Sequence, residues 1–229
     1  MAHIHRLFGS AFLIRPDGLV MTAAHVLKDA FASAAENNQK VAFVGKDENG
    51  QAEKNVVAEI TAWDCAPEPI DIAVAISIYQ SKTTYKLSKK TYDTLLWRDV
   101  ASIGYPINAW SIVDKKHRIN LRCHKGYVQR HIASGDLGRP TPESFELSFL
   151  GSRGMSGAPV FLYQGDHDEV LGVFVGAFRS EIVEEVLEEI TEGSKTYTEK
   201  RVKVDEYGIA HAISALRGWV PSFMVDALI

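Results

Sequence analysis

The sequence predicts an all-β fold, a sandwich or barrel of many short strands. Three observations carry that prediction. Short apolar, strand-like runs recur along the chain, and Gly, Pro, Asp or Asn separates many of them. Helical patterns do not alternate with these runs, which argues against a parallel α/β sheet. The chain has 229 residues, 46% hydrophobic and 24% charged, which suits one large domain or two small ones with a real core.

The first run, 7–14, is short and apolar, and Pro16-Asp17-Gly18 after it is turn chemistry. Leu19-Val20-Met21-Thr22 then reads as the returning strand of a hairpin. Residues 23–38 are Ala-rich without Gly or Pro, so a short helix is expected there. Further strands are expected at 41–44, 56–61, 72–78, 100–103, 119–128, 145–149, 159–163, 170–178 and 207–213.

Segment 181–192 differs in composition, with six glutamates and no basic residue. Its apolar positions Ile182, Val183, Val186, Leu187 and Ile190 are spaced as on one face of a helix, so an amphipathic helix is expected, stopped by Gly193. The tail, 214–228, has helical spacing interrupted by Pro221, so a short kinked terminal helix is expected. No repeat of fixed period and no low-complexity linker is present.

Charge and composition exclude several classes. The formal net charge of −4 gives no reason to expect nucleic acid or an anionic membrane as partner. The longest near-continuous apolar stretch, 170–178, is too short to span a bilayer. Two cysteines, Cys65 and Cys123, make neither a disulfide framework nor a four-thiolate metal site. His3, His5 and Arg6 lead directly into a strand-like segment without the apolar core of a signal peptide. A cytoplasmic, reducing location is therefore expected, with free thiols and no metal or organic cofactor.

The most informative stretch is Gly154-Met155-Ser156-Gly157-Ala158-Pro159. A Ser flanked by glycines sits on a tight turn just before a strand. Gly154 can take the backbone angles that point successive N–H groups inward. Those of Gly154 and Ser156 would then hold an oxyanion beside the Ser156 hydroxyl. A serine hydroxyl needs a base within hydrogen-bond reach. His25, in Thr22-Ala23-Ala24-His25-Val26, sits where a strand ends and a helix begins, among small residues that leave the imidazole room. The base in turn needs a buried acceptor to fix its tautomer. Asp71 opens the apolar strand Ile72-Ala73-Val74-Ala75-Ile76, where an unpaired carboxylate would be costly. Asp64, in a loop with Cys65 and Pro67, is the rival.

The chain order His25, Asp71, Ser156, with gaps of 46 and 85 residues, excludes the α/β-hydrolase and subtilisin orders. The sequence here resembles trypsin-like (chymotrypsin-fold) serine peptidases, closest to the compact bacterial type that includes the HtrA proteases. The resemblance rests on Gly9-Ser10-Ala11-Phe12-Leu13-Ile14, Leu19 through Val26, Asp71-Ile72-Ala73-Val74, Ile103-Gly104-Tyr105-Pro106, Lys125-Gly126-Tyr127-Val128, the Gly154 turn and Val170-Leu171-Gly172-Val173. These fall in family order across nearly the whole chain.

The resemblance implies two six-stranded antiparallel β-barrels with a C-terminal helix, and a site in the cleft between the barrels. The first lobe, 1–90, would supply His25 and Asp71. The second, 91–229, would supply Ser156 and the oxyanion hole of Gly154 and Ser156, and would carry an acidic insertion at about 181–206. The expected reaction is hydrolysis of a peptide bond through an acyl-enzyme, with protein or peptide substrates. The alternatives are a catalytically silent trypsin-like binding or sensor module, against which a complete triad argues, and an esterase using the same residues.

Three departures matter. Met155 stands where the digestive enzymes carry the Asp that binds a new N-terminus, so activation by N-terminal cleavage is not expected. Ala158 replaces a usual Gly. No PDZ-like region is expected after the second barrel. The family's pocket base points to Leu150, which lacks the Asp that selects Arg or Lys. The wall pairing with substrate backbone is expected at Val175, Gly176 and Ala177, and a third wall near Ala210 and His211. An apolar or small residue at the cleavage site follows. His211 or Arg153 would instead read an acidic substrate side chain if exposed to it. Segment 181–206 holds nine acidic and four basic residues, so the rest of the chain carries a net charge of +1. Any regulatory partner is expected at that acidic appendage.

Overall fold

The structure is a computed structural model that describes residues 6–46, 55–90, 95–113, 116–136, 140–163, 169–192 and 195–229. The chain runs β1 (Ala11–Leu13), β2 (Leu19–Thr22), α1 (Ala24–Asn37), β3 (Ala42–Lys46), β4 (Asn55–Cys65), β5 (Ala73–Ser77) and β6 (Lys86–Leu87). It continues with β7 (Asp99–Gly104), β8 (Trp110–Val113), β9 (Lys116–Ile119), β10 (Arg122–Ile132), β11 (Ser144–Leu147), β12 (Pro159–Leu162), β13 (Glu169–Glu192) and β14 (Lys195–Ala212).

Strands β1 to β5 form a five-stranded antiparallel sheet in the order β1-β2-β5-β4-β3. Its two central strands are apolar and almost wholly buried, because α1 and the second lobe cover what solvent would otherwise reach. Ala-rich α1 buries Val26, Leu27 and Ala30, and Phe31 stacks on Trp63 with ring centroids 5.0 Å apart. Asn38 ends the helix in the left-handed region at φ 50°, its N–H bonded to Ala34 O.

In the second lobe, β12, β7, β10, β11, β14 and β13 pair in series, and a β12–β13 ladder closes the ring. These six strands make a closed barrel, with β6 added in parallel against β13. Phe145, Leu147, Met155, Val160 and Phe174 fill its interior. A further cluster lies between the lobes: Phe12, Met21, Ile72 and Val74 meet Phe161, Val173, Ile213 and Leu216. The fold is the expected chymotrypsin-like all-β one, except that among the described residues the first lobe is a five-stranded sheet and not a six-stranded barrel. Among the described residues no helix is long and apolar enough to cross a membrane.

Two further expectations are corrected. Segment 181–192 is not a helix but the continuation of β13, which with β14 forms a long two-stranded ribbon, Gly172 to Glu192 against Lys195 to Ala212. Its ladder takes an extra residue between Val183 and Glu185 and again between Leu187 and Glu189. The spacing of apolar residues therefore does not mark a helix here: main-chain pairing with β14 keeps 181–192 extended. The expected stop at Gly193 lies outside the described residues. The tail has a 3-10 turn, Ile213–Leu216, and then turns rather than a kinked helix. Gly218 takes φ 79°, and Trp219, Phe223, Met224 and Leu228 pack onto the cluster between the lobes, so burial rather than helical periodicity sets their spacing.

Candidate active site

His25 lies in the first turn of α1, where main-chain N–H groups have no partner within the helix. Asp71, on the loop entering β5, supplies acceptors for that turn. Its Oδ1 accepts the His25 main-chain N–H at 2.9 Å, and its main-chain O accepts the Ala24 N–H at 3.3 Å. Its Oδ2 lies 2.6 Å from His25 Nδ1. One carboxylate therefore caps the helix and fixes the imidazole ring at once. With Asp71 ionised, Nδ1 carries the proton and Nε2 keeps its lone pair.

The electrostatics agree with that tautomer. The hydrogen bond to Asp71 raises the pKa of His25 above its ordinary 6.5, against the opposing effect of burial. Burial works against ionisation of Asp71, yet the ring and main-chain hydrogen bonds from His25 prevail and hold its pKa below 3.8. Asp64, the rival carboxylate, is otherwise engaged: Oδ1 accepts Cys65 N–H at 2.8 Å and Oδ2 accepts Ser222 N–H at 2.6 Å.

Ser156 stands on the turn before β12. Gly154 takes φ 97° and Gly157 φ 88°, both in the left-handed region that favours glycine. At Gly157 a side chain is excluded outright, because a Cβ would fall 2.0 Å from the main-chain O of Ser10. The Ser156 hydroxyl points to Val175 O at 3.4 Å, which sets the serine beside the start of the expected substrate wall. The turn is tied back to the barrel by the Gly157 N–H, which donates to Phe174 O at 2.7 Å, and by the Phe174 N–H, which donates to Ala158 O at 2.9 Å.

Ser10 is a positioning residue that the sequence reading quoted but gave no role. It is 2% exposed and joins the two lobes. Its N–H donates to Ser156 O at 2.7 Å, and its hydroxyl donates to Gly154 O at 2.8 Å and accepts Tyr105 N–H at 2.8 Å. Thr22 Oγ1 in turn donates to Ser10 O at 2.6 Å. Gly9 beside it lets the chains approach: a Cβ there would lie 2.6 Å from a Val26 methyl and 2.7 Å from Ser156 O.

The expected specificity residues fall in different places. Leu150 and Arg153 are exposed near the turn, and Val175, Gly176 and Ala177 run along β13 with at least partial exposure. Ala210 is fully buried in the second barrel's core. His211 faces Asp71 instead of a substrate side chain, its Nδ1 2.9 Å from the Asp71 N–H. Cys65 and Cys123 are both free thiols, and burial raises the pKa of Cys65.

The sequence profile of the trypsin-like peptidase domain matches residues 9–173. Comparison with the curated proteins finds no match. Among solved structures, the Rv3671c protease of M. tuberculosis in an inactive form aligns with a TM-score of 0.53 at 18% identity, over 90% of this chain and 79% of that one. The HtrA-type protease AlgW with a decapeptide aligns with a TM-score of 0.52 at 16% identity, over 91% and 49%. Deg5 aligns with a TM-score of 0.54 at 19% identity, over 73% of each chain. At these identities the likeness is one of fold.

Proposed function

The chain belongs to the family of trypsin-like peptidase domains, and on that footing we propose that it is a serine endopeptidase working through Ser156, His25 and Asp71. The observation that carries the reading is the double grip of Asp71 on His25, 2.6 Å to the ring and 2.9 Å to the main chain. It leaves the second ring nitrogen free to accept the Ser156 proton as Oγ attacks a peptide carbonyl. The main-chain N–H groups of Gly154 and Ser156 take the developing oxyanion. His25 then returns the proton to the leaving amine, and water hydrolyses the acyl-enzyme by the same route reversed. We divide the chain at residue 90, with His25 and Asp71 in the first lobe and Ser156 in the second.

An apolar or small residue at the cleavage site is supported by the ground behind Leu150. The Phe174 ring occupies the space between Gly151 and Gly208, 2.5 Å and 2.8 Å from where their Cβ atoms would lie. The ring fills that ground with an uncharged side chain. Any regulatory partner is assigned to the acidic ribbon 181–206.

A fluorophosphonate probe tests the chemistry. Labelling of the wild type that disappears in Ser156→Ala and His25→Ala is the expected result. An unlabelled wild type would instead favour the silent binding module. Peptide-library profiling then separates a peptidase from an esterase and reads the cleavage preference.

A further inference from the structure

We propose that His211 is a positioning residue of this site: from the second lobe its neutral imidazole holds the main chain of Asp71, and it releases that hold when protonated. The inference rests on the catalytic reading of His25, Asp71 and Ser156.

The argument begins with hydrogen-bond polarity. The Asp71 main-chain N–H can only donate, so His211 Nδ1, 2.9 Å away, must accept. That nitrogen is then unprotonated, and the neutral ring carries its proton on Nε2. An imidazolium has no acceptor, so protonation would set one N–H against another. A flipped ring would place a carbon there and remove the bond equally.

Asp71 is thus held from two sides. Helix α1 engages its carboxylate and its carbonyl, and β14 engages its N–H. The grip from β14 crosses the lobe boundary, and the two meet within a single residue. Fixing the main chain of Asp71 fixes the origin of the carboxylate that aims His25.

The surroundings keep His211 neutral. Burial lowers its pKa, the Asp71 charge opposes that effect, and His25 adds to it. On the flanking strands its ladder partners are Ser144 on β11 and Val173 on β13, neither of which ionises in this range. Glu143, beside Ser144, has its carboxylate engaged by His131 at 3.0 Å and Ser214 at 2.6 Å. Asp71 and His25 are therefore the charged groups that face it.

The consequence is a second proton on the acid side of the rate profile. Protonation of His25 removes the base, and protonation of His211 loosens the residue that aims it. As pH falls, log(kcat/KM) should steepen from a slope of about one to about two.

The test compares wild type with His211→Asn and His211→Phe. Asn presents an acceptor where Nδ1 stood but does not titrate; Phe keeps the ring volume without an acceptor. His211→Asn should keep kcat/KM at neutral pH within about threefold, with an acid limb whose slope stays near one. His211→Phe should lose roughly 10-fold or more, in kcat rather than KM, as expected for an unmade hydrogen bond that acts on the reacting geometry. An acid limb in His211→Asn identical to wild type overturns the proposal, as does full activity of His211→Phe. Should the Phe variant fail to fold, the Asn profile decides alone. Fluorophosphonate labelling of the wild type runs alongside: if Ser156 is not labelled, the peptidase reading and this inference fail together. If it is labelled and the Asn profile is unchanged, only the role of His211 fails.

Discussion

The protonation state of His25 sets the first measurable property of the site. A general base works only while its acceptor nitrogen is free. Because the hydrogen bond to Asp71 lifts the His25 pKa above 6.5, the protonated and inactive form persists to higher pH than for an ordinary histidine. Activity should therefore be lost, as pH falls, through a midpoint above 6.5. Asp71→Asn removes the charge that raises this pKa and permits the wrong tautomer. It should move the acid limb to lower pH and cut kcat by about four orders of magnitude, which steady-state kinetics from pH 5 to 9 would check. At this scale the sequence was informative because the chemistry restricts residue types. An Asp opening an apolar run, a His at a strand-to-helix junction and a Ser between glycines each needed a partner. Ser10 and His211 were not legible in the same way. Their roles depend on hydrogen bonds to residues 144 and 140 positions away, which no local pattern reports.

Strand β13 carries two jobs along one length. Its first part, from Glu169 through Val173, pairs with β12 and closes the second barrel. Beyond Val175 it passes the serine, and from there to Glu192 its ladder partner among the described residues is β14. The outer ribbon therefore contributes little to the barrel's packing. Excising 181–204 and joining Ser180 to its ladder partner Asp205 through a two-residue Asn-Gly turn should leave thermal unfolding within a few degrees of wild type. Hydrolysis of a short peptide should also be unchanged. A partner or gate working through the ribbon would appear as a change confined to folded protein substrates. The ribbon also explains why one element was misread while Leu19–Thr22 was read to the residue. An unbroken buried strand has a clean apolar run, whereas the ribbon strand has neither a run nor a strict alternation to mark it.

Across the whole molecule, the cluster between the lobes links folding to chemistry. Ile213 is fully buried there and lies two residues beyond His211, while Ile72, also fully buried, follows Asp71 directly. Ile213→Ala leaves a cavity at this junction and should cost about 2–5 kcal/mol in urea unfolding. The loss of activity should exceed the loss of folded protein, because the cavity loosens both sides of the Asp71 contact. The chymotrypsin-like all-β plan was legible through the family resemblance that the motifs carry. The way the tail seals it was not, since Trp219 and Leu228 are tied by a 3.0 Å main-chain hydrogen bond within turns that carry no repeating pattern.

The bonds from Ser10 to Gly154 and from Asp71 to His211 have a consequence in time. Each joins an early part of the chain to a late one. During synthesis, Ser156 leaves the ribosome well before His211 does, so the nucleophile is present while the clamp on Asp71 is still unmade. Long-range closures of this kind are also late in folding. A growing chain thus holds the proposed triad for dozens of codons before the contact of His211 with Asp71 can form. On dilution from denaturant, proteolytic activity should return with the slowest phase of recovery, behind the first regain of strand structure.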